Sequence, residues 1–290
     1  MGLFDWLKAK PQPKRDTDKA PGMIVLLDAL PEFDCAAAEK ALGDIEELRV
    51  APKIEIESGE GTLHGSAEFD SHSIGIVGFN QPAPQGVMEK TVEVSNWRAE
   101  GRELLESAKA HLVLMHKGGG ADVLEKYIAL YKLAAVLGGE HLRGVLIEEA
   151  WTCAPVSVVR EFTDRAKLAD HRKFITPIAF YGFVRFNTDE GAWYASKGLH
   201  MFDVPDLVMF GPDEDPMDVL DMMMNIFLYV KTKGARIAAG HTFQIADDAF
   251  FKFSELETDN AYLDYLKGAG KTLQLKRISK DEIGKKGDDQ

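Results

Sequence analysis

The stretch DPMDVLDMMMNIFLYVKTKG, residues 215–234, decides the fold prediction because it is the most clearly delimited helix in the chain. Asp215 is a favourable N-cap, Pro216 occupies the first helical position, and Gly234 follows the last turn as a stop signal. Most other side chains are apolar, so the sequence predicts a helix buried in the core. Polar side chains at spacings of three and four predict one narrow exposed stripe, formed by Asp218, Asp221, Asn225, Tyr229 and Thr232.

A membrane-spanning helix is the competing interpretation of the same stretch. Spanning a bilayer needs about 20 consecutive, mostly apolar residues. The apolar run here is shorter, and Asp221 and Asn225 interrupt it. The sequence therefore favours a core helix and predicts no integral membrane association.

Composition narrows the class of protein. The 290 residues carry a formal net charge of −13, which argues against nucleic acid as the main partner because nucleic-acid binding needs a basic face. A chain of this length can form a large core without disulfides or metals. Cys35 and Cys153 are expected to be free thiols in a reducing compartment, and no secretory signal is recognised. We therefore expect a cytoplasmic protein.

The order of predicted elements indicates an α+β fold with a mostly antiparallel sheet packed with helices, since hairpins are frequent and helices do not alternate regularly with strands. A meander, a helix and a strand follow one another in each half, which allows two related halves. Strands are predicted at residues 23–28, 54–57, 63–69, 73–79, 91–94, 111–115, 145–147, 176–187, 193–201, 206–210, 241–245 and 272–277. Further helices are predicted at residues 35–42 (ended by Gly43), 97–109 and 122–137, and after Pro155.

Charge and proline content suggest the domain limits. Residues 1–22 are expected to be a flexible N-terminal segment, in which residues 1–8 could form two amphipathic turns that bind a membrane surface or partner, or dock on the protein itself. One α+β half is predicted at residues 23–165 and the other at residues 174–278, around the helix at 215–234. The charged residues 165–173 mark the boundary, and residues 279–290 form a charged tail.

Three patterns suggest chemistry, and each has an ordinary structural alternative. The triple glycine at 118–120 precedes a helix like a phosphate cradle, but no complete phosphate motif is present and Asp122 would repel an anion. His111 and His116 lie five positions apart on one strand, so their side chains point to opposite faces and cannot share a metal. Acidic residues from Asp203 to Asp221 could bind a hard cation, or could simply be solvated around a helix start.

The site prediction follows from the residues around the central helix. His200 and His241 flank this helix in sequence, and they could approach each other if their strands pair. A ligand-binding pocket is therefore predicted where the acidic helix start meets them, formed by Trp193, His200, Asp218, Asn225 and His241. The catalytic residues stay unknown. No metal site and no cofactor is predicted, and HxxxH, HExxH and CxxC spacings are absent. Nucleophilic catalysis has no local support, because GxSxG is absent and Cys153 has no histidine close in sequence.

The segment from Gly198 onward resembles an uncharacterised bacterial family catalogued as a domain of unknown function. The resemblance rests on Gly198-Leu199, Phe202, a strand at 206–210, Asn225-Ile226, Tyr229 and a Gly240-x-Thr242 turn, and the run AHLVLMHKGG at 110–119 is similar to the family's central strand. The family tends to carry acidic residues on both sides of the final turn glycine, where this chain has Ala239 and His241. The resemblance implies an intracellular bacterial α+β protein and no established activity.

These observations leave two classes of function open. The leading hypothesis is a non-enzymatic binding or protein-interaction module, with a protein partner or a second copy of the chain as its ligand. The alternative is a small-molecule-binding protein or enzyme with a pocket near the acidic start of the helix at 215–234. Whether the protein is an enzyme is undecided by the sequence.

Overall fold

The computed structural model describes residues 20–211, 214–246, 249–257 and 262–283. These residues form an α+β fold with two mostly antiparallel sheets, as predicted. They divide into two compact units, the first up to Gly182 and the second from Phe183 onward. The proposed amphipathic turns at residues 1–8, nearly all of the flexible segment, Asp213 and the end of the charged tail lie outside the described residues. The domain boundary at residues 165–173 and the relation between the two halves stay predictions.

The first unit contains a seven-stranded sheet in the order β2-β3-β4-β5-β1-β6-β7, and all neighbouring strands are antiparallel. Both faces of β1 are covered, because Leu26 joins one apolar cluster while its neighbours Val25 and Leu27 are also completely buried. The strands are β1 (Gly22–Leu27), β2 (Lys53–Ser58), β3 (Thr62–Phe69), β4 (His72–Phe79), β5 (Ala110–His116), β6 (Leu142–Ile147) and β7 (Thr152–Pro155).

Six helices surround this sheet. The longest, α4, packs against α1 and against β1, β5 and β6, and it buries Tyr127 and Tyr131. Asp122 caps α4 by accepting a hydrogen bond from the Leu124 amide at 3.0 Å. The helices are α1 (Cys35–Ile45), α2 (Gln85–Met88), α3 (Ala99–Glu106), α4 (Val123–Gly138), α5 (Val156–Glu161) and α6 (Arg165–Lys173).

The second unit contains a six-stranded sheet in the order β11-β12-β13-β10-β9-β8. β10 and β13 run parallel, whereas the β9–β10, β11–β12 and β12–β13 pairs are antiparallel. Its elements are β8 (Gly182–Thr188), β9 (Gly191–Lys197), β10 (Asp206–Gly211), α7 (Pro216–Lys233), β11 (Thr242–Ala246), β12 (Ala249–Glu255), α8 (Leu263–Leu266) and β13 (Thr272–Ile278). Ser279 caps a further 3-10 turn at Lys280–Glu282.

Helix α7 confirms the prediction made from its sequence. The Asp215 carboxylate accepts a hydrogen bond from the Met217 amide at 2.7 Å, and Gly234 ends the helix with a left-handed φ of 60°. The apolar face buries Val219, Met222, Met223, Ile226, Phe227 and Val230. The predicted stripe is exposed, except that Tyr229 is half-buried.

Several local predictions were wrong because tertiary contacts outweighed sequence preference. Residues 91–94 form no strand: Glu89–Glu93 is a π-helical turn, in which Thr91 donates to the Val87 carbonyl and Val92 is buried in the core. Helix α1 runs past Gly43 and ends at Ile45. Residues 176–181 form a turn before β8, with the Ile178 amide bonded to the Tyr181 carbonyl. The sequence analysis also missed β7 and β12.

Candidate functional site

The acidic start of α7 borders a cleft of about 170 Å³ in the second unit. Its apolar wall comes from α7, through Val219 and Met222, and from the sheet, through Met209 and Phe251. Glu214, Asp218 and Arg277 contribute charge to the lining. Asp218 is the predicted site residue that lines this cleft, and ligand binding by the predicted pocket stays a prediction.

Contacts among the charged residues hold one rim of this cleft. Nη2 of Arg277 lies 3.4 Å from Oε1 of Glu214, and the guanidinium lies 5.6 Å from the centre of the Phe251 ring. Tyr194 donates a hydrogen bond from its hydroxyl to the Glu214 carbonyl at 2.8 Å. Asp218 is exposed. The cleft thus combines an apolar interior, a partly exposed Arg–Glu pair and a solvated carboxylate.

Trp193 does not reach this cleft, because it points to the other face of the sheet. In the antiparallel register, Trp193 pairs with Phe210 and Tyr194 pairs with Met209. Met209 lines the cleft, and adjacent residues of a strand point to opposite faces. Trp193 packs instead in an apolar cluster with Ala195, Val208 and Leu266.

The remaining predicted site residues are dispersed over the second unit. Asn225 is exposed on α7, and His241 is half-buried in the turn that precedes β11. The His241 amide donates to the Ala238 carbonyl, and its carbonyl accepts from the Phe253 amide at 2.9 Å. His200 lies in a 3-10 turn after β9, beside Asp206. Their roles in ligand binding stay predictions.

A buried charged cluster beside His200 was missed by the sequence reasoning, which treated Asp206 as one of the solvated acids. Asp206 is completely buried, and its Oδ1 accepts from the Leu199 amide at 3.0 Å. Nδ1 of His200 lies 3.6 Å from Oδ2 of the same carboxylate. The signal in the sequence was a charged residue at the beginning of an otherwise apolar strand, DLVMFG.

Lys197 forms the cationic part of this cluster. It is 1% exposed, and its ammonium donates to the carbonyls of Tyr265 and Lys267, at 2.5 and 2.9 Å. Burial lowers the pKa of Lys197 to about 8, and the negative charge of Asp206 opposes that shift. Gly268 has to be glycine here, since an added Cβ would lie 2.0 Å from Oδ2 of Asp206. These contacts therefore hold the loop before β13 against β9 and β10.

The histidines of β5 occupy opposite faces, as predicted. His111 stacks on Phe79 and its Nδ1 lies 2.8 Å from the Gln81 carbonyl, whereas His116 pairs with His72 at 3.1 Å. Burial lowers the pKa of His116 to about 4, with a smaller contribution from His72, and burial also lowers the pKa of His72. Both rings of the pair are therefore neutral at pH 7.

The triple-glycine turn is hydrogen-bonded to the strand that precedes it, β5. Gly118, Gly119 and Gly120 all have positive φ, the left-handed conformation that glycine adopts without strain. The Gly118 amide donates to Nδ1 of His116 at 3.1 Å. With the Asp122 carboxylate capping the helix that follows, the turn presents a negative charge where a phosphate cradle would need amide donors.

The first unit also contains a cavity of about 380 Å³ that the sequence analysis did not predict. It lies between α1 and the end of α4, and His141 forms part of its lining. Nδ1 of His141 lies 2.8 Å from Oδ1 of Asp28, and Arg143 forms an ion pair with the other carboxylate oxygen. The hydrogen bond from His141, together with the charge of Arg143, holds the pKa of Asp28 below its usual value.

Metal binding and nucleophilic chemistry at Cys153 receive no support from the described geometry. Among the described residues, no group of three or more His, Cys, Asp or Glu side chains is placed to hold a metal ion. Burial raises the pKa of the Cys153 thiol to about 12, so this thiol stays protonated and is a poor nucleophile. Nor does the described part of the chain contain a helix long and apolar enough to cross a membrane.

Comparison with known proteins supports the resemblance in the second half of the chain. The model of a family described as Domain of unknown function (DUF4261) matches residues 195–276, from β9 to β13. The match covers Lys197, His200, Asp206 and most of the cleft lining, and its description assigns no activity. No curated protein and no solved structure matches the chain.

Proposed function

We propose that the chain is a non-enzymatic binding module whose cleft at the start of α7 receives one apolar side chain from a basic segment of a partner protein. The observation that carries this proposal is the combination of an apolar cleft of about 170 Å³ with an acidic rim. We place the module in the bacterial cytoplasm, on the family resemblance and on the two free cysteines.

The size of the cleft favours a protein side chain over a small molecule. Pockets for small molecules usually measure about 300–1,000 Å³, whereas the anchor residues of protein interfaces fill smaller pockets one side chain at a time. Large apolar side chains are also exposed near the cleft: Ile245 in its lining is 39% exposed, and Met217, next to Asp218, is 61% exposed. Methionine and arginine are enriched at protein interfaces.

Charge determines which partner fits. Asp215, Asp218 and Asp221 lie in the first two turns of α7 or at its cap, and the whole chain has a formal net charge of −13. A partner segment with lysine or arginine beside its apolar anchor would be attracted to this surface, and its association would weaken as salt is added. The alternative of an enzyme at this position has less support, since the described residues of the cleft lining include no nucleophile paired with a base.

A displayed library of random peptides, selected on the purified full chain, tests the proposal. We expect enrichment of peptides with one large apolar residue beside lysine or arginine. Asp218→Lys and Ile245→Asp should each weaken binding of these peptides by about tenfold or more. Asp221→Lys is the matched control, because Asp221 is an exposed aspartate of the same helix outside the cleft lining and should reduce affinity much less.

Three outcomes would overturn the proposal. The first is a selection that enriches no such motif, and the second is equal binding of the enriched peptides to wild type and to Asp218→Lys. The third is a dimer in light scattering that dissociates in Asp218→Lys, which would make a second copy of the chain the occupant of the cleft.

A further inference from the structure

The second binding site that we infer lies in the first unit, in the cavity of about 380 Å³ between α1 and the end of α4. This volume falls within the range of small-molecule pockets, about 300–1,000 Å³. One wall is α1, through Ala37, Ala38 and Ala41, and another is the end of α4, through Val136 and Leu137. These small and aliphatic side chains leave room for an apolar ligand body.

The charged residues of the lining all have the same sign. Glu32, Asp34 and Glu140 contribute carboxylates, and the lining residues that the structure describes include no lysine or arginine. The cavity therefore favours a positively charged group.

The neutral form of His141 offers a directional hydrogen-bond acceptor at this site. The Asp28 carboxylate can only accept, so Nδ1 of His141 carries the proton that joins them at 2.8 Å. In the neutral ring, Nε2 then keeps its lone pair, and it lies 3.9 Å from Oε1 of Glu140. An N–H group of a ligand could be shared between these two acceptors.

The position of this imidazole is fixed on several sides. The Asp28 amide donates to the His141 carbonyl at 3.0 Å, so these two residues are joined through both backbone and side chain. Arg143 pairs with Asp28 and also donates to the Glu140 carbonyl at 3.2 Å, which holds the turn that carries His141. A preorganised acceptor loses little conformational entropy when a ligand binds.

We propose that this cavity binds a small organic cation, an amine with an apolar body, whose ammonium group lies between His141 Nε2 and the Glu140 carboxylate. The apolar body packs against Ala37, Ala41 and Val136. This site is separate from the α7 cleft, and neither proposal depends on the other.

Three probes of the same shape and different charge test the proposal by calorimetry on the full chain: 2-phenylethylamine, 2-phenylethanol and phenylacetate. We expect the amine to bind about tenfold or more tightly than the alcohol, and phenylacetate to bind least. Added salt and Glu140→Gln should each weaken binding of the amine.

Two variants of α1 locate the binding site. Ala37→Leu fills part of the cavity and should abolish binding of the amine, whereas Ala36→Leu should leave binding unchanged, because Ala36 is equally an exposed alanine of α1 but lies outside the lining. Circular dichroism confirms that both variants fold. Equal affinity for the three probes, no saturable binding of the amine, or equal binding by the two variants would each overturn the proposal.

Discussion

Oδ2 of Asp206 lies 3.6 Å from Nδ1 of His200, inside the second unit, and Asp206 has no exposed surface. A buried carboxylate is tolerated only where hydrogen bonds and opposite charge compensate for its lost hydration. The Leu199 amide and the Ser196 hydroxyl donate hydrogen bonds to Asp206, and Lys197 contributes a nearby positive charge. The cluster belongs to the segment that matches the family, so its energetics bear on how this segment holds together.

Removing the Asp206 carboxylate should destabilise the protein. We expect Asp206→Ala to lower the free energy of unfolding by about 1–3 kcal/mol, because it leaves the buried Leu199 amide without its acceptor and removes a negative charge that favours the buried Lys197 ammonium. Asp206→Asn should cost less, since its side-chain oxygen can still accept from Leu199. Urea denaturation measures both, with the exposed Asp221→Ala as control. Equal values for Asp206→Ala and the control would contradict this account.

The neutral His72–His116 pair predicts a loss of stability in mild acid. The pKa of His116 is about 4 in the folded protein and about 6.5 in the unfolded chain, so between these values the unfolded state binds the extra proton. Stability should therefore be complete above about pH 6.5 and decrease as the pH falls toward 4. Urea denaturation midpoints measured between pH 4 and 7 give the slope of stability against pH. His116→Gln should reduce this slope, and the exposed His64→Gln should leave it unchanged. An unchanged slope in His116→Gln would assign the acid sensitivity to other groups.

The ion-pair network around Glu46 predicts a second loss of stability, at lower pH. Burial raises the pKa of Glu46, but hydrogen bonds from Arg172 and Lys132 outweigh this effect and bring the pKa to about 2. The network therefore stabilises the fold above about pH 4.5, and this contribution is lost as the pH falls toward 2.

Replacing Glu46 tests this network directly at neutral pH. Glu46→Gln should cost about 2–3 kcal/mol, less than a fully buried pair, because the Glu46 side chain is 23% exposed while Lys132 is 5% exposed. A double-mutant cycle with Lys132→Met measures the pairwise part. A coupling energy near zero would show that Arg172 alone holds Glu46.

Substitutions on the two faces of α7 should differ greatly in their effect on the free energy of unfolding. Asn225→Leu is expected to change the free energy of unfolding by no more than about 0.5 kcal/mol, because Asn225 is exposed. Met223 is 2% exposed, so Met223→Asp buries an unpaired charge and should cost more than about 4 kcal/mol, or prevent folding. Thermal melts of the two variants make the comparison. A large loss in Asn225→Leu would mean that the stripe is covered in solution.

Local signals in the sequence were sufficient for features that depend on neighbouring residues. The limits of α7 follow from Asp215, Pro216 and Gly234, whose effects act within one helical turn. The opposite orientation of His111 and His116 follows from strand geometry alone. The α+β class and the antiparallel pairing followed in the same way from hairpin turns and apolar periodicity.

Only the tertiary structure decided which distant residues meet. Residues 91–94 have a strand-like sequence but form part of a π-helical turn, because Val92 gains burial against α3 and the sheet. Trp193 was predicted to share a pocket with Asp218 of α7, yet the register of β9 against β10 turns Trp193 to the face opposite the cleft.

The His141–Asp28 pair joins residues 113 positions apart, and it exists because β1 and β6 pair side by side. The Lys197–Asp206 cluster likewise depends on β9 lying next to β10. A sequence encodes its helix ends and strand faces through interactions within a few residues. Its sites are assembled by strand register and long-range packing, whose free energies are shared across the whole core and cannot be read from any one stretch.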